Sequence, residues 1–330
     1  MRANRIPLVQ PLDTIRPEDI ETHGGKATNI ARLKLAGFCV PRGFSISSLS
    51  FNRIRKSLPE INKFLDRLED EEDFEEILNL AEKLQTLVNS YQIPEDLKSE
   101  ISQEFQRLQE QQIGSVWGYA VRSSATIEDR NDISFAGQAN SYLCVKEISN
   151  IFDAVKQVWK SVYSPSALIY LKNKGVPINL VKMAIVVQEM IPAIVSGVMF
   201  TANVVSNNRK EMLINATWGL GETLVSGRVI PDTFILSKNP LSIIQKEMGA
   251  KEITSIVVAS EGDAKTNTHT TPREKCEKYT LENHELLRVA QLGIEIEKQM
   301  GSPQDIEWCI RTDGEIVILQ SRPITSLRIP

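Results

Sequence analysis

Residues 304–325, QDIEWCIRTDGEIVILQSRPIT, decide how the C-terminal part of the chain folds. Asp305, Glu307 and Cys309 alternate with Ile306, Trp308 and Ile310, the period of a half-buried strand. Asp313-Gly314 tolerates positive φ at both positions and predicts a two-residue hairpin turn. The apolar run EIVILQ then returns along the first strand. A two-residue loop pairs Thr312 with Glu315, and counting outward sets Glu307 opposite Gln320 and Asp305 opposite Arg322. Directly opposed residues share a face of the sheet. That face would gather two carboxylates, a carboxamide and a guanidinium. Carboxylate and amide oxygens are hard ligands suited to Mg²⁺, which takes one or two protein oxygens and fills its shell with phosphate oxygens and water. An Arg beside them can clamp a phosphoryl group bidentately. The segment reads either as the metal–phosphate side of a nucleotide site or as a surface hairpin with a wet polar face.

Upstream, residues 280–300 predict one helix, and the polar, Thr/Asn-rich stretch 238–278 predicts an exposed excursion. Short apolar runs at 183–190, 196–202 and 211–217 predict strands, as do VWGYAVRSS before residue 125 and SYLCV at 141–145. Residues 151–174 read as helical. Residues 51–112 read as almost wholly helical, because Leu78, Ala81, Leu84, Leu87 and Val88 recur at helical spacing. The acidic block at 68–76 fits a solvated face or a helix start. Residues 27–35 predict a helix with Gly37 as its C-cap, stopped by Val40-Pro41, and Phe44 and Ile46 mark a short strand. Helices come early and strands late, so the expected class is α+β with two interleaved lobes, residues 1–187 and 188–330.

A chain of 330 residues with 42% hydrophobic and 24% charged residues is an ordinary globular polypeptide, long enough for two domains. That composition excludes a disordered chain, a collagen-like chain and a disulfide mini-protein. No apolar run approaches the about 18 residues of a membrane span, and residues 1–20 lack the apolar core of a signal peptide. Cys39, Cys144, Cys276 and Cys309 have no pairing or metal spacing, which fits small hydrophobes in a reducing cytoplasm. The net charge of −4 argues against bulk nucleic-acid binding.

Several other segments could meet phosphate. Gly24-Gly25-Lys26 opens a helix with flexible N–H groups and a cation, but lacks the full P-loop spacing, and on its own reads as an ordinary turn with an exposed Lys. Arg122-Ser123-Ser124 ends a strand and could hold phosphate, or be an ion-paired Arg with a Ser cap. SFAGQ at 134–138 could close over phosphates, or be a plain turn. Gln188-Glu189-Met190 ends a buried strand and could offer a donor and an acceptor to a flat heterocycle, or simply stop at Pro192. NATWGLGETLVSG at 215–227 sets glycines around Glu222, for a ligand or for a strand-to-helix turn. His23 reads as a polar turn residue rather than a phosphoryl acceptor. No Ser-His-Asp, Cys-His or zinc pattern stands out.

Taken in order, GGKATN, VPRGF, VRSSATIED, SFAGQ, QEM, SGVMFTA, GLGE and QDIEW…LQSRP resemble the N-terminal ATP-grasp-type domain of the pyruvate phosphate dikinase and phosphoenolpyruvate synthase family, with rifampin phosphotransferases as near relatives. The resemblance implies an ATP-grasp fold with Mg·ATP between the lobes. It implies Lys26, Arg122 and Arg322 as phosphate-contacting cations, Gly137 and Gln138 in a covering loop, and Gln188, Glu189 and Met190 at the adenine. It implies Glu307 and Gln320 as Mg²⁺ ligands, with Asp305 in support, and Glu222 among the nucleotide-binding residues. The implied reaction moves the β-phosphoryl of ATP to a histidine on a partner or on a swivelling domain outside these residues, leaving AMP and phosphate, for onward transfer to pyruvate or another small acceptor. Asn203, where relatives usually carry an acid, and Ala139 depart from the family pattern. A free-standing small-molecule kinase and a non-catalytic nucleotide-binding module remain alternative readings.

Overall fold

The computed structural model describes residues 7–111, 117–126, 141–260 and 263–327. They form two compact units, one of residues 1–31 and 42–190, the other of residues 32–41 and 191–330. The division therefore differs from a single cut at 187/188. The chain crosses early, lends residues 32–41 to the second unit, and leaves the first for good after Met190.

The first unit carries β1 (Val9–Pro11), α1 (Ile20–Leu35) up to Ala31, β2 (Gly43–Ile46), α2 (Ser48–Ser57), α3 (Glu60–Asp70), α4 (Phe74–Ser90), α5 (Glu95–Glu110), β3 (Tyr119–Ala125), β4 (Ser141–Val145), α6 (Ile148–Ser161), α7 (Pro165–Asn173) and β5 (Met183–Glu189). The strands make one antiparallel sheet in the order β1-β2-β5-β3-β4. Phe44, Ile46, Tyr119, Val121, Ile185 and Val187 point to one face and merge with Phe51, Leu80, Leu84, Val158 and Trp159 of the helices in one core. The other face presents Ser45, Arg122, Ser124 and Gln188, by the alternation of strand side chains. The acidic block is a helix start, since Asp73 accepts from the N–H groups of Glu75 and Glu76 and caps α4. The expected helix at 151–174 is two helices: Ser164 caps α7 and Pro165 takes its first position, where no N–H is needed.

α1 begins earlier than the sequence suggests but is interrupted at Gly24, whose φ of 72° is non-helical. It closes as the sequence predicts. Gly37 has φ 86°, its N–H bonds the Lys34 carbonyl, and the Phe38 N–H reaches back to Leu33, the paired bonds of a Schellman cap.

The second unit carries β6 (Ala193–Phe200), β7 (Glu211–Trp218), α8 (Glu222–Val225), β8 (Asp232–Lys238), β9 (Leu241–Glu247), β10 (Ile253–Ser260), β11 (Asp263–Thr270), α9 (Arg273–Cys276), α10 (Asn283–Met300), β12 (Gln304–Arg311) and β13 (Ile316–Pro323). A six-stranded antiparallel sheet runs β13-β12-β6-β7-β8-β9, and β10 with β11 forms a separate ribbon. Residues 238–278 are largely exposed, as the sequence predicts, and are mostly strand. α10 lays Leu286, Val289, Ala290 and Ile296 on the sheet face that carries Met199, Ile214, Phe234, Ile306 and Trp308. Two glycines permit this packing. A Cβ on Gly293 would come within 2.6 Å of Met199 Sδ, and one on Gly197 within 2.2 Å of the Trp308 ring.

Asn203, one of the two departures from the family pattern, closes the turn after β6. Its Oδ1 accepts from the N–H groups of Val205 and Ser206, and its amide donates to Glu211. Ala139 lies outside the described residues. A buried ion pair ties the far side of the sheet. Lys251 and Asp232, both with 0% side-chain exposure, bond each other, and Asp232 also accepts from Gly249 N–H and from the N–H and hydroxyl of Thr280. Removing one partner of a buried pair leaves an uncompensated charge. Lys251→Met is therefore expected to lower the unfolding free energy by about 3–5 kcal/mol, read by denaturant titration followed by a probe in this unit.

Candidate functional sites

In the first unit, two candidate phosphate segments meet. The Gly24 backbone lies against the end of β3 so closely that a Cβ there would sit 2.3 Å from the Ser124 carbonyl oxygen. With its positive φ as well, the position takes glycine for two independent reasons. Ser124 Oγ donates to the His23 carbonyl at 2.8 Å and accepts from the Ala27 N–H at 3.4 Å. The Ser124 hydroxyl is thus engaged in fixing the turn. Thr28 Oγ1 donates back to the carbonyls of Gly24 and Gly25 at 3.0 and 3.2 Å. Lys26 leaves this fixed turn half-buried. Arg122, also half-buried, is two residues before Ser124 and shares its face of β3. Sequence reading did not find the part played by His23 and Ser45. The buried imidazole Nδ1 lies 3.0 Å from Ser45 Oγ on β2 and anchors the turn from its other side.

Gln188, Glu189 and Met190 end β5. Gln188 is buried and pairs with Gly43 and Ala120. The Glu189 carboxylate is gripped by Arg42, Nη2 to Oε1 at 2.7 Å and Nε to Oε2 at 2.9 Å. The backbone N–H groups of Glu189 and Met190 bond the carbonyls of Arg42 and Gly118, and Met190 Sδ accepts from Cys144 N–H at 2.9 Å. These groups are spent inside the unit. Arg42 was present in the VPRGF motif, but nothing in the sequence tied it to Glu189.

In the second unit, the hairpin sets Glu307 opposite Gln320 and Asp305 opposite Arg322, as the sequence predicts. The route differs. The Arg311 N–H bonds the Glu315 carbonyl and the Gly314 N–H returns to Arg311, so Thr312-Asp313-Gly314 is a three-residue loop with Gly314 at φ 81°. That loop shifts the register by one, pairing Trp308 with Ile318. An irregularity after Glu307 shifts it back. Arg322 bonds Asp305 Oδ2 through Nε and through Nη2, both at 2.8 Å. Burial pushes the Asp305 carboxyl above its ordinary value, and the Arg322 guanidinium pulls against that shift. Gln320 is buried, and its Oε1 has no hydrogen-bond partner among the described residues. A buried amide oxygen left unsatisfied beside a carboxylate is what a hard cation would satisfy, so the donor set fits Mg²⁺. Among the described residues no group of three or more His, Cys, Asp or Glu side chains forms a metal site. A cation held by one carboxylate, one amide and substrate oxygens agrees with that.

Glu222 opens α8 at the end of the GLGE turn. Ser255 Oγ donates to its Oε1 at 2.6 Å. The close approach that Gly219 requires is to the chain itself, since a Cβ there would lie 2.2 Å from the Ser255 carbonyl oxygen. Gly137 and Gln138 lie outside the described residues.

The model of the family described as pyruvate phosphate dikinase, AMP/ATP-binding domain, matches residues 20–328. The chain belongs to that family. Similar proteins include a probable phosphoenolpyruvate synthase of Methanocaldococcus jannaschii, 35% identical over 99% of this chain and 27% of that protein. Rifampicin phosphotransferases of Bacillus subtilis and a Streptomyces species are 34% and 36% identical, each over 97% of this chain and 36% of the relative. Across the relatives matched here the chain spans 27–45% of their length. Among the described residues no helix is long and apolar enough to cross a membrane.

Burial lowers the His23 pKa from 6.5 to about 4, against a smaller opposing pull from Asp19. Between these values the unfolded chain binds a proton that the folded unit refuses. The contribution is therefore neutral above pH 6.5 and destabilising as pH falls toward 4. At about 1.4 kcal/mol per pKa unit it reaches about 3 kcal/mol. Denaturant titrations of this unit from pH 7 to pH 4 are expected to show that loss, and His23→Gln to remove most of its pH dependence.

Proposed function

We propose that the chain is the nucleotide-binding part of a dikinase-type phosphotransferase with an ATP-grasp fold that binds Mg·ATP. The observation that carries this reading is the hairpin, which aligns Glu307 with Gln320 and Asp305 with Arg322 on one sheet face and leaves the Gln320 amide oxygen unsatisfied. Family membership supplies the nucleotide. Glu307 and Gln320 would hold the metal, which when bound neutralises charge on phosphate oxygens. Arg322, steadied by Asp305, clamps a phosphoryl group. Lys26, on a turn fixed by Ser124 and His23, and Arg122, on β3, supply the cations of the first unit. Gln188, Glu189 and Met190 form the adenine edge. With Glu189 and Met190 N–H bonded internally, recognition there falls to carbonyl oxygens, the Gln188 amide and apolar contact with Met190. Glu222 completes the nucleotide contacts, and Gly137 and Gln138 the covering loop.

Catalysis in this scheme is electrostatic. Fixed cations stabilise the charge that develops on the transferred group, and no general base is needed. The β-phosphoryl passes to a histidine of a partner or of a further segment with release of AMP, a water takes up the γ-phosphoryl as phosphate, and the histidine then phosphorylates pyruvate or another small acceptor.

Nucleotide product analysis tests this. Mg·ATP incubated with the chain and a histidine-domain partner is expected to give AMP that rises only with the partner. ADP from the chain alone would instead identify a free-standing kinase. Glu307→Ala and Lys26→Ala are each expected to slow AMP formation by roughly 10²–10³. Unchanged rates and ATP affinity in both would overturn the site.

A further inference from the structure

We infer that Ser255, on the ribbon strand β10, is a positioning residue for nucleotide binding that acts by fixing the Glu222 carboxylate; this rests on the reading of Glu222 as a nucleotide contact. Ser255 is wholly buried, and three of its features converge on the GLGE turn. Its hydroxyl donates to Glu222 Oε1 at 2.6 Å. Its carbonyl accepts the Leu220 N–H at 2.9 Å. The same carbonyl is the atom against which Gly219 packs with φ 73°, in an isolated parallel bridge between the two residues.

Other hydroxyls near the turn do different things. Ser196 Oγ donates to the Gly219 carbonyl at 2.7 Å. Those of Thr217 and Thr223 are buried and have no hydrogen-bond partner among the described residues. Among the described residues Ser255 is the side chain that bonds the Glu222 carboxylate. A carboxylate on a four-residue helix has little else to fix its rotamer. The hydroxyl bonds Oε1, and among the described residues Oε2 takes no hydrogen bond, so it remains for a ligand donor such as a sugar hydroxyl. A charge-assisted O–H···O⁻ bond of this length is strong enough to hold that orientation before the ligand arrives.

The test is a double-mutant cycle on Mg·ATP affinity, measured by titration calorimetry on the whole chain, with the thermal midpoint of every variant as a fold control. Glu222→Ala is expected to weaken binding about tenfold or more, and Ser255→Ala by about three- to tenfold. Ser255→Ala added to Glu222→Ala is expected to cost nothing further, because its effect runs through the lost carboxylate. Ser255→Thr retains the donor and is expected to keep affinity within about twofold. If Ser255→Ala proves unstable, Ser255→Cys, close in size but a weak donor, takes its place in the cycle. A loss in Glu222→Ala without one in Ser255→Ala, or additive losses, overturns the role of Ser255 alone. Unchanged affinity in Glu222→Ala overturns the reading of Glu222 and this inference with it.

Discussion

The hairpin site depends on a single extra residue. The three-residue loop alone would pair Glu307 with Leu319 and Asp305 with Ser321. Because strand side chains alternate with period two, that slip would send Gln320 and Arg322 to the opposite face from Glu307 and Asp305. The register shift after Glu307 absorbs one residue of β13 and returns both to the correct face. Near the turn, Ile316 and Ile318 still point into the core with Trp308 and Ile310. The bulge thus satisfies two demands that a regular ladder could not meet together. It keeps an apolar face under α10 where the strands need stability, and a polar face where the site needs ligands.

The first unit solves a similar problem with a different device. A helix start proposed to meet an anion, as this one is, must keep its N–H groups and its cation in place without burying the cation. Here the turn is bonded from both sides, by Ser124 on β3 and by His23 to Ser45 on β2. Gly24 is the residue that lets the backbone come close enough for those bonds. The small polar residues on the sheet's open face are therefore the frame, and Lys26 and Arg122 are what the frame presents. A neutral His23 suits this role. It bonds a hydroxyl in a buried place, and burial lowers its proton affinity.

Much of this was legible in the sequence where one period dominated. The helices between residues 48 and 110 followed from apolar spacing, the Gly37 cap from its position, and the pairing of Glu307 with Gln320 from counting back from Asp313-Gly314. The count reached the correct pairs through two compensating departures, an extra loop residue and a bulge, neither of which leaves a clear mark in the sequence. The strands β10 and β11 escaped for a different reason: they form a two-stranded ribbon on which Ile256 and Val258 stay exposed, so no buried face imposes an apolar alternation. The break between α6 and α7 did have a signal, Ser164-Pro165, a cap followed by a first-turn proline, which the surrounding helical pattern concealed.

Side chains that position others were the hardest to read. Arg42 and Glu189 are 147 positions apart and Ser255 and Glu222 are 33 apart; each pair is joined only when separate strands or turns come together. For Glu189 the pairing changes the functional reading. As an isolated acid beside a glutamine and a methionine it could be given any role at a heterocycle. Once bonded at both oxygens by Arg42, with its N–H on the Arg42 carbonyl, it fixes the point where the chain leaves the first unit, immediately before the boundary at Met190. A nucleotide edge built on that point would be rigid because the acid is already occupied. Any discrimination between bases at such an edge would not fall to the Glu189 carboxylate, which Arg42 holds at both oxygens.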